Sequence, residues 1–202
     1  DWALRDWISP LELATGGFSQ SYELQYELTP ADGSLLRLSG FHRTLKNFIV
    51  DLDDPRWAPG QVGMVLASGT FTGAEIEWEH WVGRDLSAGI WLRYTDSEND
   101  DAGGVEIPYQ PKLAGQLRLD YMDENGVRVG GAWLHVGKRY ADIANTTELG
   151  PHNLINLRVA KQRDLHTDLF LSVENLFDQD YAFWQGYPGP GTKVRGGVEY
   201  RY

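Results

Sequence analysis

Residues Thr72 to Thr95 read TGAEIEWEHWVGRDLSAGIWLRYT. Ala74, Ile76, Trp78 and His80 alternate with Glu75, Glu77 and Glu79, a period of two. Such alternation places successive side chains on opposite faces of a β-strand. Gly83-Arg84-Asp85 then interrupts the run for the length of a hairpin turn, and a second apolar-rich stretch begins at Leu86.

The same period recurs in both directions along the chain. Tyr22, Leu24, Tyr26 and Leu28 alternate with Glu23, Gln25 and Glu27. Leu117, Leu119 and Tyr121 alternate with Gln116, Arg118 and Asp120; Leu169, Leu171 and Val173 alternate with polar partners such as Ser172. Nine strands are predicted, over 21–28, 35–50, 62–82, 86–96, 112–122, 127–140, 153–162, 167–177 and 193–202, with a weaker tenth at 2–8. No segment has the periodicity of an amphipathic helix.

The connections are sorted by length. TPADGS, GRD, DENG and KQRDLH are short. DLDDPRWAPGQ, TDSENDDAGGVEIPYQP, ADIANTTELGPH and DQDYAFWQGYPGPGT are long, and the two kinds alternate. In a meander this sends every short turn to one side of the sheet and every long loop to the other. Outer-membrane barrels have that layout.

Two readings of the alternating faces follow. In a soluble sheet the apolar face packs on a core. In a membrane barrel the apolar face meets lipid, and the Glu, Asp, Arg and Gln face lines a wet interior. The sorted loops, strands longer than the usual five or six residues, and aromatics near strand ends favour the barrel. Mean hydropathy is −0.42 and no window supplies the roughly 20 apolar residues of a spanning helix. With no cysteine there are no disulfides or thiolate metal sites. A net charge of −11 argues against nucleic acid as a partner.

The stretch Leu171–Tyr202 carries two further signals. Val173, Glu174, Asn175, Leu176, Phe177, Asp178 and Tyr181 form a V-E-N-L-F-D-x-x-Y string, followed by Gly186, Tyr187, Pro188, Pro190 and Gly191, and Tyr202 is aromatic. This resembles the C-terminus of TonB-dependent outer-membrane receptors, and weaker likeness extends upstream to Ser21. The resemblance implies an all-β, antiparallel up-and-down transmembrane β-barrel meander, here nine or ten strands of a 22-stranded receptor barrel. Residues 1–202 would be the C-terminal part of that barrel domain, with the plug domain not in this chain; Asp1–Pro10 lacks the basic start and apolar core of a secretory leader. The implied location is the outer membrane of a Gram-negative bacterium. The implied partners are membrane lipid, the barrel-assembly machinery reading Val198, Tyr200 and Tyr202, and a TonB-type energy partner acting through the plug. No cofactor is implied.

Candidate sites are few. His42, His80, His135, His152 and His166 are scattered. Asp51, Asp53 and Asp54, and Asp96, Glu98, Asp100 and Asp101, match no calcium-loop spacing and read as solvated loops. Glu75, Glu77 and Glu79 are expected to pair with arginines across the wall, such as Arg37, Arg43 or Arg93. Trp57, Tyr109, Phe183, Trp184 and Tyr187 lie in the long loops, as ligand contacts or as loop packing. No nucleophile elbow, phosphate loop or zinc-protease motif occurs, so neither a catalytic nor a metal site is assigned. The expected function is uptake of a scarce nutrient such as a metal chelate. The alternatives are a structural barrel subunit that closes with another chain and a small self-closed barrel. Leu171→Arg is expected to be costly and Ser172→Arg mild.

Overall fold

The computed structural model describes residues 13–51 and 65–200. It contains β1 (Leu13–Leu28), β2 (Ser34–Asp51), β3 (Val65–Val82), β4 (Leu86–Asn99), β5 (Leu113–Met122) and β6 (Val127–Val136). After these come β7 (Arg139–Tyr140), β8 (Glu148–Leu149), β9 (His152–Gln162), β10 (Thr167–Glu174), β11 (Ala182–Trp184), β12 (Tyr187–Pro188) and β13 (Lys193–Tyr200). Nine of them form one sheet in the order β1-β2-β3-β4-β5-β6-β9-β10-β13, each antiparallel to its neighbour. The pairs β7–β8 and β11–β12 are small ladders inside two long loops. The only helical element among the described residues is a single 3-10 turn at Asp100–Ala102.

Short turns join β1–β2, β3–β4, β5–β6 and β9–β10; long loops join the remaining pairs. The predicted strand at 127–140 ends earlier, at Val136, because Gly137 lies against the Leu113 backbone and the chain departs there into β7. The first strand starts at Leu13 rather than Ser21. The predicted tenth strand at 2–8 lies outside the described residues.

The two faces are inverted relative to a soluble sheet. One face carries Leu24, Tyr26, Leu38, Ile76, Ile90, Leu92, Leu117, Leu119, Trp133, Leu157, Val159, Leu169, Leu171 and Val198, all exposed. On β10, Leu171 is 53% exposed, whereas its neighbour Ser172 on the other face is 3% exposed, as is Asp168. Register makes the apolar face continuous: Tyr26 opposes Leu38, Leu38 opposes Ile76, Ile76 opposes Leu92, and Val159 opposes Leu171. A contiguous apolar surface larger than a few hundred Å² is rare on water-soluble monomers. Hydrocarbon removes the cost of exposing it, about 25 cal/mol per Å².

Along β4 the outward apolar residues run from Leu86 to Tyr94. At roughly 3.3 Å per residue this covers about 26 Å of strand, the scale of a barrel's lipid-facing band.

Towards the long loops the polarity reverts. On β3 the outward face changes from Trp78, Ile76 and Ala74 to Thr72 and Thr70, while the inner face changes from Glu77 and Glu75 to buried Phe71. Leu45, Phe48, Ala67, Phe71 and Ile107 form an apolar core on that inner side, with Phe41 and Ile143 packed on it. Phe48 joins it because a bulge between Leu45 and Phe48, with Asn47 at a φ of 55°, changes the phase of β2. Gly73 is required here: a Cβ would overlap the Tyr94 carbonyl oxygen and the Phe41 ring. β1 to β4 thus stand beyond the lipid band, whereas β5, β6, β9, β10 and β13 are shorter.

Candidate functional site

The inner wall is a network of ion pairs laid across strands. Arg37 on β2 reaches Glu27 on β1 at 2.9 Å and Glu77 on β3 at 3.2 Å. Arg93 on β4 reaches Glu75 on β3 at 2.7 Å. Arg128 on β6 pairs with Asp168 on β10, and Arg158 on β9 reaches across β10 to Glu199 on β13 at 2.5 Å. Arg195 on β13 holds Glu174 on β10 at 2.8 Å. Two of the three glutamates of β3 therefore have the arginine partners expected of them. Arg37 is one of those arginines and Arg93 the other; Arg43 plays no such part. Guanidinium suits this wall because its planar donor fork can serve carboxylates on two neighbouring strands.

Over the long-loop end, three loops pack on one another. Tyr109 of the β4–β5 loop lies 4.4 Å, ring to ring, from Trp184 of the β10–β13 loop. Tyr181 stacks on His152 at 4.8 Å and meets Phe183 edge-on at 4.9 Å. Arg139, 4% exposed, donates from Nη2 to the Ala182 and Phe183 carbonyl oxygens, tying the β6–β9 loop to the β10–β13 loop. Burial lowers its pKa, since charge is disfavoured away from water. Asn145 donates to the Glu106 carbonyl and accepts from the Glu106 N–H, joining the β6–β9 and β4–β5 loops. Asp142 accepts from Ala144 N, Thr146 N and Thr147 N, which closes the tip of its own loop. Lys112 sits between Asp96 and Glu106, whose hydrogen bond raises its pKa.

The V-E-N-L-F-D string is the knot that turns β10 into its loop. Asn175 is buried at a φ of 48°. Its side chain donates to the Gln179 and Pro190 carbonyls and accepts from Gln179 N, and its own N–H donates to Asn156 Oδ1. Leu176 N donates to the Ile155 carbonyl. Asp178 accepts from Thr192 N, and Thr192 Oγ1 donates to the Asn175 carbonyl, so both ends of the loop are fastened. A side chain at Gly191 would strike Asp178 Oδ1, and one at Gly189 would strike the Tyr181 ring. These are packing reasons for Gly and Tyr at those places in the motif. Phe177 is exposed.

Of the five loop aromatics, Tyr109, Phe183 and Trp184 are brought into one cluster. Trp184 remains 47% exposed and Tyr187 on β12 70% exposed; Trp57 lies outside the described residues. Val198 and Tyr200 lie on the exposed apolar face of β13, and Tyr202 is also outside the described residues. The five histidines stay apart: His42 bonds Thr72 Oγ1, His80 stacks on Trp78, His135 bonds Asn153, His152 lies under Tyr181 and His166 beside Tyr200. Asp100 and Asp101 serve the base of their loop through Thr70 and Ser68, and Asp53 and Asp54 lie outside the described residues. Among the described residues no group of three or more His, Asp or Glu converges on a point.

Arg139, Asn145 and Asp142 were not singled out from sequence. A lone Arg beside Tyr140 carries no pattern; its role exists only once the β10–β13 loop folds over it.

Among solved structures the chain is similar to the ferric-catecholate import receptor Fiu from E. coli (19% identity, TM-score 0.70). The match covers 92% of this chain and 28% of that one. It is similar to the copper transporter OprC (17%, TM-score 0.75, covering 92% and 31%). It is also similar to the siderophore receptor PiuA from Acinetobacter baumannii (19%, TM-score 0.74, covering 91% and 28%). The chain thus spans under a third of the length of these structures. The family model for the TonB dependent receptor-like β-barrel matches residues 18–176. With the inverted meander and its sorted loops, that match places the chain in the TonB-dependent receptor β-barrel family of Gram-negative outer-membrane proteins.

Proposed function

We propose that this chain is the C-terminal run of strands of a receptor barrel that imports a metal chelate across the outer membrane. The observation that carries it is the loop cluster. Three long loops lock together on one end of the sheet and leave the Trp184 and Tyr187 rings open to solvent there. Rigid aromatic surface on interlocked loops is a binding platform with little ordering cost. Of the similar structures, one is described as a ferric-catecholate import receptor, one as a siderophore receptor and one as a copper transporter, which supports a metal-bearing cargo. In this reading a TonB-type partner supplies the energy by acting on a plug outside this chain. Val198, Tyr200 and Tyr202 address the strand to the barrel-assembly machinery.

The test is metal uptake by cells with and without the full-length protein, together with chelate binding followed by tryptophan fluorescence. Trp184→Ala with Tyr187→Ala should weaken binding about tenfold, roughly 1.4 kcal/mol. Uptake that is indifferent to the protein, or to loss of the energy partner, would overturn the transport reading. Undiminished binding by the double variant would remove these rings from the site.

A further inference from the structure

We propose that His152 is an acid-released latch: neutral, it lets the β10–β13 loop lie closed over the start of β9, and protonated it releases that loop. His152 opens β9 on the inner face, in register with Val136 of β6. It stands beyond the lipid band, because the outward face at this height is already polar: His135 of β6 bonds Asn153 of β9 there. His152 is 3% exposed, and Tyr181 of the β10–β13 loop covers its ring with 29° between the two planes. Tyr181 is fixed in turn. Its carbonyl accepts from Gly189 N, its ring meets Phe183 edge-on, and Gly189 lies so close that a Cβ there would overlap the ring. The next residue of β9 is fastened to the same loop, since Asn153 N donates to Gln179 Oε1 at 2.8 Å.

The surroundings favour a neutral imidazole. His152 Nδ1 is buried and bonds no partner among the described residues. The titratable groups that bear on the ring are Arg139 on β7 and His135 on β6, and both oppose a positive charge there. Arg139 is committed to the Ala182 and Phe183 carbonyls, so it stays near while the loops are closed, and Tyr109 of the β4–β5 loop acts on it. Tyr181 supplies no counter-charge: burial and then Glu174 raise its pKa, and Glu174 is held by Arg195. Burial first, then Arg139 and His135, hold His152 at about 4 in place of its ordinary 6.5. When the loop lifts, water reaches the ring and the ordinary value returns. The closed state therefore binds fewer protons than the open one. Its advantage is complete above 6.5, shrinks as pH falls towards 4 and is constant below that. Between pH 7.5 and pH 5 the closed state should lose about thirtyfold against the open one. Asp142 is held below its ordinary 3.8 and so titrates outside this window. The latch depends on loop contacts alone and holds whatever the cargo.

Amide exchange in the full-length protein in detergent micelles, corrected for the intrinsic rate, tests this. Protection of the Asn153 amide should fall about thirtyfold from pH 7.5 to pH 5. Thr146 and Thr147, whose amides are held by Asp142 within their own loop, should keep their protection over the same range. His152→Phe leaves a ring under Tyr181 and removes the titration, so protection of Asn153 should no longer change with pH. His135→Gln should leave the fall in place. Flat protection at Asn153 in the unaltered protein overturns the latch, whether or not the His152→Phe protein folds. An equal fall at Thr146 and Thr147 would mean general loosening and overturns it too. So does a pH response that survives in His152→Phe or vanishes in His135→Gln.

Discussion

Asn175 shows how much one residue of the terminal motif carries. Its side chain completes three hydrogen bonds inside the loop, and its backbone sits in the left-handed region that Asn tolerates better than other non-glycine residues. Asn175→Ala leaves the Gln179 N–H and two carbonyls without these partners at a buried site, and should cost about 2–4 kcal/mol in unfolding free energy. Asn175→Gly relieves only the backbone part, so it should recover less than half of that loss. Asp142 makes a different prediction. Burial alone would raise its pKa, but hydrogen bonds from Thr146 and Thr147 outweigh that and hold it below its ordinary 3.8. A carboxyl lowered on folding adds stability above its unfolded pKa, and that stability is lost as pH falls through the folded value. Amide exchange at Ala144, Thr146 and Thr147 should therefore stay protected at pH 5 and gain exchange, after correction for the intrinsic rate, only below about pH 4. Asp142→Asn should make the protection independent of pH in that range.

The strand is the scale at which facing is tested. Leu171→Arg puts a guanidinium into lipid and should cost roughly 2–4 kcal/mol at mid-membrane depth. Register changes what to expect at the next residue. Ser172 is opposite Arg158 on one side and Arg195 on the other, so Ser172→Arg would crowd three guanidiniums. The informative inward substitution is Ser172→Asp, which should be neutral or stabilising by up to about 1 kcal/mol. Refolding into vesicles, followed by denaturant titration, reads both, and equal costs at 171 and 172 would refute the facing. Gly73→Ala is the packing counterpart: with the Tyr94 carbonyl and the Phe41 ring in the way, it should cost about 1–3 kcal/mol.

In the whole molecule, both edges of the sheet are open among the described residues: β1 pairs with β2, and β13 with β10. Unpaired backbone groups in hydrocarbon cost several kcal/mol each, so both edges must be covered in the membrane. We expect β13 to pair with a receptor strand outside this chain. These 202 residues contain no cysteine, so a pair placed at Gln25 and Gly197 meets no other thiol within this stretch. Gly197→Cys with Gln25→Cys should give no disulfide in the full-length protein under oxidising conditions. An efficient disulfide would instead indicate a small barrel closed within the chain.

The sequence by itself determined the meander, the number of sheet strands from Leu13 onward and which end carries the long loops. Alternation and turn length are local properties, and neighbouring strands pair with little choice. It also pointed to the arginine partners of Glu75 and Glu77. Alternation alone does not fix polarity, since a period of two is the same whether the apolar face meets a core or lipid; the sorted loops and the aromatics at strand ends are what favoured lipid. The tertiary structure agrees, exposing Leu171 and burying Ser172, and it adds the reversal at Gly73, where the alternation continues but the sides exchange. The structure alone also showed how the loops pack on one another. Arg139 meets the Ala182 and Phe183 carbonyls across 43 and 44 residues of chain, a contact that no local pattern encodes, because it depends on two loops folding over the same end of the sheet.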